Sequence, residues 1–270
     1  MTRSSLALLT ILFVAGAALP AAAQDDDPDM DPNNAQPDFY VATMPSSLRL
    51  PKGKMAFRLT HRFLRTIGDG DFGDLAARAF GFDSGAQIGI DLKYGLVRGG
   101  QIGVYRTSDR TIQFSAQYDA ASPRNLPVGI AIAVNVDGTD NFSDEFSPGA
   151  ALILSRELGD HGAIYVEPSV VGNSNIGVLP SDDDFTVMAG VGARLRARKN
   201  TYLFVEASPR IAGYKQGVTL ISFGLEQRAG GHLFQINFSN GFGTTLAQVA
   251  RGGTARDDWY LGFNLSRKFF

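Results

Sequence analysis

The stretch Trp259-Tyr260-Leu261-Gly262-Phe263-Asn264-Leu265-Ser266-Arg267-Lys268-Phe269-Phe270 decides the fold. Successive side chains of a strand point to opposite faces. Leu261, Phe263, Leu265 and Phe269 therefore share one face, and Gly262, Asn264, Ser266 and Lys268 the other. An amphipathic strand with an aromatic end, in a chain that opens with an export signal, predicts a transmembrane β-barrel. Phe263, Leu265, Phe269 and Phe270 are the candidate assembly signal for barrel-assembly machinery. Parity puts Phe269, not Phe270, in the apolar register. Either a bulge shifts the last two residues, or Phe270 packs at the rim while Phe269 faces lipid.

The other end supplies the export signal. Residues 1–23 read as a cleaved signal peptide, with Arg3 as the basic region, Leu6 to Leu19 as the apolar run and Ala21-Ala22-Ala23 before Gln24. No other window approaches the ~20 continuous apolar residues of a spanning helix, so any membrane crossing is by strands. The chain has no Cys, which excludes disulfides, thiolate metal sites, a cysteine nucleophile and a lipidated N-terminal cysteine. The net charge of −2 becomes −3 once Arg3 leaves with the signal, and no basic run points to nucleic acid. Residues 24–50 read as an acidic, Pro-rich, disordered leader, with Asp25, Asp26, Asp27, Asp29 and Asp31 among Pro28, Pro32 and Pro37.

From Lys54 onward the chain repeats one unit, about ten alternating residues and then a turn. Twelve segments follow: 54–63, 85–94, 100–107, 110–118, 127–137, 148–157, 162–171, 185–196, 201–210, 218–228, 232–239 and the C-terminal stretch. Ten residues at ~3.3 Å, tilted ~40–45°, span about 23–25 Å, the height of an outer-membrane apolar band. The alternate connections near 64–84, 138–147, 172–184, 211–217 and 240–257 are longer than most of the intervening turns, although 108–109 is short. Short periplasmic turns with longer external loops are the outer-membrane pattern. The expected fold is all-β: a single antiparallel up-and-down transmembrane barrel of about 12 strands over 51–270. A short helical turn is expected near 75–80, in the first external loop.

Arg58-Leu59-Thr60-His61-Arg62-Phe63, Phe80-Gly81-Phe82-Asp83-Ser84-Gly85-Ala86, Asp91-Leu92-Lys93-Tyr94-Gly95 and the close Leu261-Gly262-Phe263-Asn264-Leu265-Ser266-Arg267 resemble a bacterial family of outer-membrane β-barrels, domain of unknown function 5777. The resemblance covers roughly 50–270. It implies an outer-membrane barrel and carries no catalytic or binding residues with it.

Strand parity sorts an inward charged set. Its bases are Arg58, Arg62, Lys93, Arg194, Arg196, Arg210, Arg228 and Lys268, and its acids Asp91, Glu167, Glu206 and Glu226. Cross-strand pairing is one use of such a wall; a pathway preferring small anionic solutes is another, since rings of Arg or Lys favour anions. Twelve strands leave a bore of roughly 10–14 Å, which several Arg side chains, or loop 64–84 or 240–257 folded inward, could close. The leading expectation is thus a porin-like pathway with a mildly basic lumen. The alternatives are a non-conducting barrel that binds partners or organises the surface, and a lipid-active hydrolase. His61 lies on the apolar face without a mapped nucleophile, and no GxSxG motif is present, so no enzyme and no cofactor are expected. His61, Tyr94, Tyr118, Trp259 and Tyr260 are assigned to the lipid interface, with Tyr260 at the periplasmic end. The segment 69–74 lacks the later ligands of a calcium loop, and no metal site is expected. Expected partners are outer-membrane lipid and lipopolysaccharide, the latter reached through acidic loop residues such as Asp144, Glu145 and 182–184.

Overall fold

A computed structural model describes residues 28–68, 70, 72–77, 84–122, 127–175 and 183–270. The chain divides into two compact units, Met1–Asp31 and Pro32–Phe270. Of the first, only 28–31 are described, with a 3-10 turn at Pro28–Met30; the signal peptide lies outside the described residues. Everything below concerns the second unit.

Its strands are β1 (Met55–Thr66), β2 (Ala86–Val97), β3 (Gly100–Thr107), β4 (Ile112–Ala121), β5 (Gly129–Gly138), β6 (Phe146–Glu157), β7 (Gly162–Gly172), β8 (Phe185–Arg198), β9 (Thr201–Ser208), β10 (Arg210–Gly213), β11 (Leu220–Ala229), β12 (His232–Ser239) and β13 (Tyr260–Lys268). Each pairs antiparallel with its sequence neighbour from β1 to β9, then β9 with β11, β11 with β12, β12 with β13, and β13 back onto β1. Twelve strands therefore close a barrel, which leaves no unpaired edge for backbone groups in a hydrocarbon layer. The thirteenth, β10, is the continuation of β9 beyond Pro209; it pairs with the start of β8 through Arg210↔Met188, Ala212↔Val187 and Gly213↔Thr186. Proline lacks the amide hydrogen a ladder needs, and the break falls there.

Two short helices sit in the long connections among the described residues, α1 (Phe72–Ala77) after β1 and α2 (Leu246–Ala250) before β13. Neither is long or apolar enough to cross a membrane. The helical turn expected at 75–80 begins three residues earlier, and 78–83 lie outside the described residues.

The two faces differ as the alternation demands. Large apolar side chains stand bare on the outer wall: Leu92, Val104 and Phe114 form one cross-strand row and are 41%, 36% and 47% exposed. Water would penalise such a band, whereas lipid does not. Leu152-Ile153-Leu154, three consecutive apolar residues, resolve by parity. Ile153 is buried inward, and its two neighbours face out.

The C-terminal strand answers its register question without a bulge at its end. Lys268 still pairs with Ala56, and the Phe269 amide donates to the Met55 carbonyl at 3.0 Å. Phe269 points out, and Phe270 packs at the rim beside Phe39, Leu50 and Ala56. Tyr260 corrects the interfacial assignment. It opens β13 at the end bearing the long loops and is buried on the inward parity, its ring 4.3 Å from Phe242. A strand that enters from a loop begins at the loop end, so Tyr260 and Tyr94 belong to opposite ends. Trp259 packs edge-on against Phe223 with ring centres 5.2 Å apart, while Tyr94 and Tyr118 are exposed on the outer wall at the turn end.

Two outcomes test the outer wall. Leu92→Arg places a charge in the apolar row and is expected to cost about 2–4 kcal/mol near mid-bilayer, read by urea unfolding in lipid vesicles. Folded protein is expected to migrate differently from boiled protein on a gel; equal migration would contradict a closed barrel.

Candidate functional site: a lumen filled from both ends

The composition of 24–50 predicts a solvated leader, yet the structure buries Asn33 to Leu50 inside the barrel. The reason is visible in the residues. The acidic and proline-rich run ends at Asp38, and Phe39-Tyr40-Val41-Ala42-Thr43-Met44 follows. That apolar core enters from the turn end. It folds into a tight hairpin with a Tyr40↔Pro45 bridge and hydrogen bonds from Val41 N to Met44 O and from Ser46 N to Phe39 O, both 2.8 Å. Gly95 admits the chain at the rim, because a Cβ there would fall 2.1 Å from the Pro51 carbonyl oxygen.

The inner wall holds the hairpin mainly by its backbone. The Glu206 carboxylate accepts the amides of Ala42, Thr43 and Met44 at 2.9, 2.9 and 3.1 Å, and the Thr43 hydroxyl at 2.6 Å. Three successive N–H groups turned toward one point form a nest for an anion, here filled by a wall side chain. Donors from the wall meet the carbonyls: Arg194 reaches Tyr40 O at 2.6 Å, Gln235 reaches Val41 O at 2.6 Å, Gln117 reaches Ser46 O at 3.0 Å, and Arg58 bonds Ala42 O. Ser266 donates to Asp38 at 2.6 Å. Val41, Ala42 and Met44 pack against Ala163, Tyr165 and Phe204. The bases cover the aromatic rings. Arg58 and Lys93 each lie 4.2 Å from the Tyr40 ring centre, and Lys268 lies 5.3 Å from that of Phe39, within reach of cation–π attraction. Burial, and then the Asp91 carboxylate it bonds, push the Tyr40 phenol well above its ordinary pKa, so it stays protonated.

The loop end is filled independently. In the 240–257 connection, Thr245 caps α2 by accepting from the Gln248 backbone N–H, and the Gln248 side chain closes the capping box. Gln248 also donates to Asp109 at 2.8 Å, and Arg251 reaches Ser147 and Ser174 at 3.3 Å. Ala247, Val249 and Ala250 pack on Val171, Met188 and Leu220. Of the two loops read as potential plugs, 240–257 is the one that the described residues place in the lumen.

The other inward charges have structural employment. Arg194 and Glu226 form a two-pronged pair, Nε to Oε2 at 2.6 Å and Nη2 to Oε1 at 2.8 Å, with both side chains fully buried. Gln235 adds a bond to Glu226 at 2.7 Å. Arg62 is buried and donates to Asn264 at 2.9 Å. Arg228 reaches Asn34 at 3.2 Å, Arg196 bonds the Lys199 carbonyl at 3.0 Å, and Arg210 bonds the Gln216 and Arg251 carbonyls. Three inward acids escape the parity reading, Asp119, Asp137 and Glu157, because each lies at or beyond the end of a segment. With them the wall carries eight bases against seven acids rather than eight against four. His61 is outward, its ring stacked 4.7 Å from Phe263 and tilted 4.4 Å from Phe63, and its Nδ1 has no hydrogen-bond partner. No group of three or more metal-ligating side chains occurs among the described residues.

A family model described as membrane bound beta barrel domain (DUF5777) matches residues 38–269. The chain belongs to that family. The match begins inside the hairpin, so the family domain includes the segment that fills the lumen. A comparison with curated proteins returned no match. Among solved structures the barrel is similar to an outer membrane channel from Pseudomonas putida F1, at 10% identity, TM-score 0.45, over 82% of this chain and 97% of that one. It is similar to outer membrane phospholipase A from Escherichia coli, at 12% identity, TM-score 0.43, over 80% and 90%. A Rh. blastica porin mutant aligns at 13% identity and TM-score 0.35 over 68% of this chain, which spans only 55% of that porin's length.

Arg194→Met is expected to destabilise the barrel by about 3–5 kcal/mol, because it leaves Glu226 buried without its partner. The double variant with Glu226→Met should recover most of that loss. Urea unfolding of the three proteins measures both.

Proposed function

We propose that this protein is a self-sealed, non-conducting barrel of the bacterial outer membrane, and not an enzyme. It acts through its rigid wall and loop surface, where lipid and lipopolysaccharide are its neighbours. One observation carries the reading: the Glu206 carboxylate grips three consecutive amides of the hairpin in mid-lumen. A flexible tail crossing a pore would not satisfy its backbone groups against the wall, residue after residue. The second closure by α2 supports the same reading from the other end.

A second reading is a gated, porin-like pathway for small solutes that opens when 32–50 leave. Its support is the chemistry beneath the hairpin: the wall there is polar and charged, as a water-filled passage requires, rather than apolar. The near balance of bases and acids makes the expected anion preference weak, and Arg194, paired with Glu226, adds little to it.

Planar-bilayer recording separates the two. Wild-type protein is expected to be silent. Glu206→Ala leaves three amides without their acceptor, at about 1–3 kcal/mol each if they stay dry, and should produce open events. Steady conductance of the wild type would overturn the sealed reading; silence of both wild type and Glu206→Ala would count against the gated one.

A further inference from the structure

Between the N-terminal hairpin and α2 the lumen retains a cavity of ≈ 60 Å³. Tyr40, Thr43 and Met44 border it from one side, and Leu246 and Val249 from the other. Glu167 and Gln101 face into it from the wall. Glu167 is 3% exposed and its Oε2 has no hydrogen-bond partner; Gln101 is 4% exposed and neither of its amide atoms has one. Among the described residues no Lys or Arg forms an ion pair with Glu167. Lys93 also borders the cavity, but its ammonium lies over the Tyr40 ring and interacts with Asp91.

The space before Glu167 is kept open by the sequence. Gly190 is its cross-strand partner, and a Cβ there would come within 3.3 Å of the Glu167 Cβ and of the Met44 sulfur. A carboxylate removed from water needs a compensating charge or a proton. The polar residues lining the cavity include Glu167, Gln101, Ser169 and Ser208, whose side-chain oxygens are hard donors suited to alkali and alkaline-earth ions. One uncompensated carboxylate matches one positive charge. The volume holds roughly four water-sized spheres at ~15 Å³ each, enough for a small ion with part of its hydration shell and too little for an organic solute.

We propose that this cavity binds a partly hydrated monovalent metal cation, sodium or potassium, on Glu167 and Gln101. The cation locks the hairpin against α2. The site rests on the sealed-lumen reading, since both inserted segments form its walls.

The test uses the full chain folded in nonionic detergent. Thermal unfolding is followed in sodium chloride, potassium chloride and N-methylglucamine chloride at matched ionic strength. Wild-type Tm is expected to be several degrees higher in at least one alkali salt, and the pair of salts identifies the ion. Glu167→Gln should unfold at the same temperature in all three. Gly190→Ala, which narrows the space before the carboxylate without touching its charge, should lose most of the dependence. The proposal is overturned if wild-type Tm is the same in the three salts, or if Glu167→Gln keeps the wild-type dependence. Bilayer recording on the same samples tells the two readings apart. A silent, salt-insensitive wild type removes the cation and leaves the sealed barrel, whereas a conducting wild type removes the sealed barrel itself.

Discussion

A buried carboxylate that receives three successive backbone amides organises the interior of this barrel. Glu206 lies on β9, far in sequence from Ala42, Thr43 and Met44, and accepts from all three. A carboxylate out of water needs such donors, and the amides of a tight turn out of water need an acceptor. Each cost is offset by the other. Once that contact is made, the remaining hairpin carbonyls fall within reach of Arg194, Gln235, Arg58 and Gln117. The aromatic pair Phe39 and Tyr40 comes under Lys268, Lys93 and Arg58.

This changes what the basic wall is for. Arg and Lys on an open lumen would hold anions or steer them. Here they cover aromatic rings, bond peptide carbonyls or, in Arg194, pair with Glu226. Glu167 is buried with its Oε2 unbonded, beside a cavity that Gly190 keeps open. The lumen is therefore a second core, polar rather than apolar, enclosed by a wall whose outer face is the apolar one.

Much of the wall was legible along the chain. Period-two alternation located twelve strands, and the inward charged residues were read from parity alone. The misreadings share a cause, which is that local composition does not report long-range partners. Residues 24–50 were averaged as one acidic leader, although the run from Phe39 to Met44 is apolar and was the available signal. Asp119, Asp137 and Glu157 escape the parity reading because strand ends are the least certain part of a periodic pattern. Tyr260 was placed at the wrong end because strand direction was not carried through to the last hairpin.

By itself the sequence determined the barrel, its strand number and the facing of most side chains within the strands. Alternation is a local property, and a closed sheet in lipid has only one way to use it. The tertiary structure alone decided that the lumen is full. Filling it depends on a hairpin at 39–46 meeting a carboxylate at 206 and on a helix at 246–250 meeting strands from the opposite side. Pairings between segments so far apart in the chain leave no periodic trace in it.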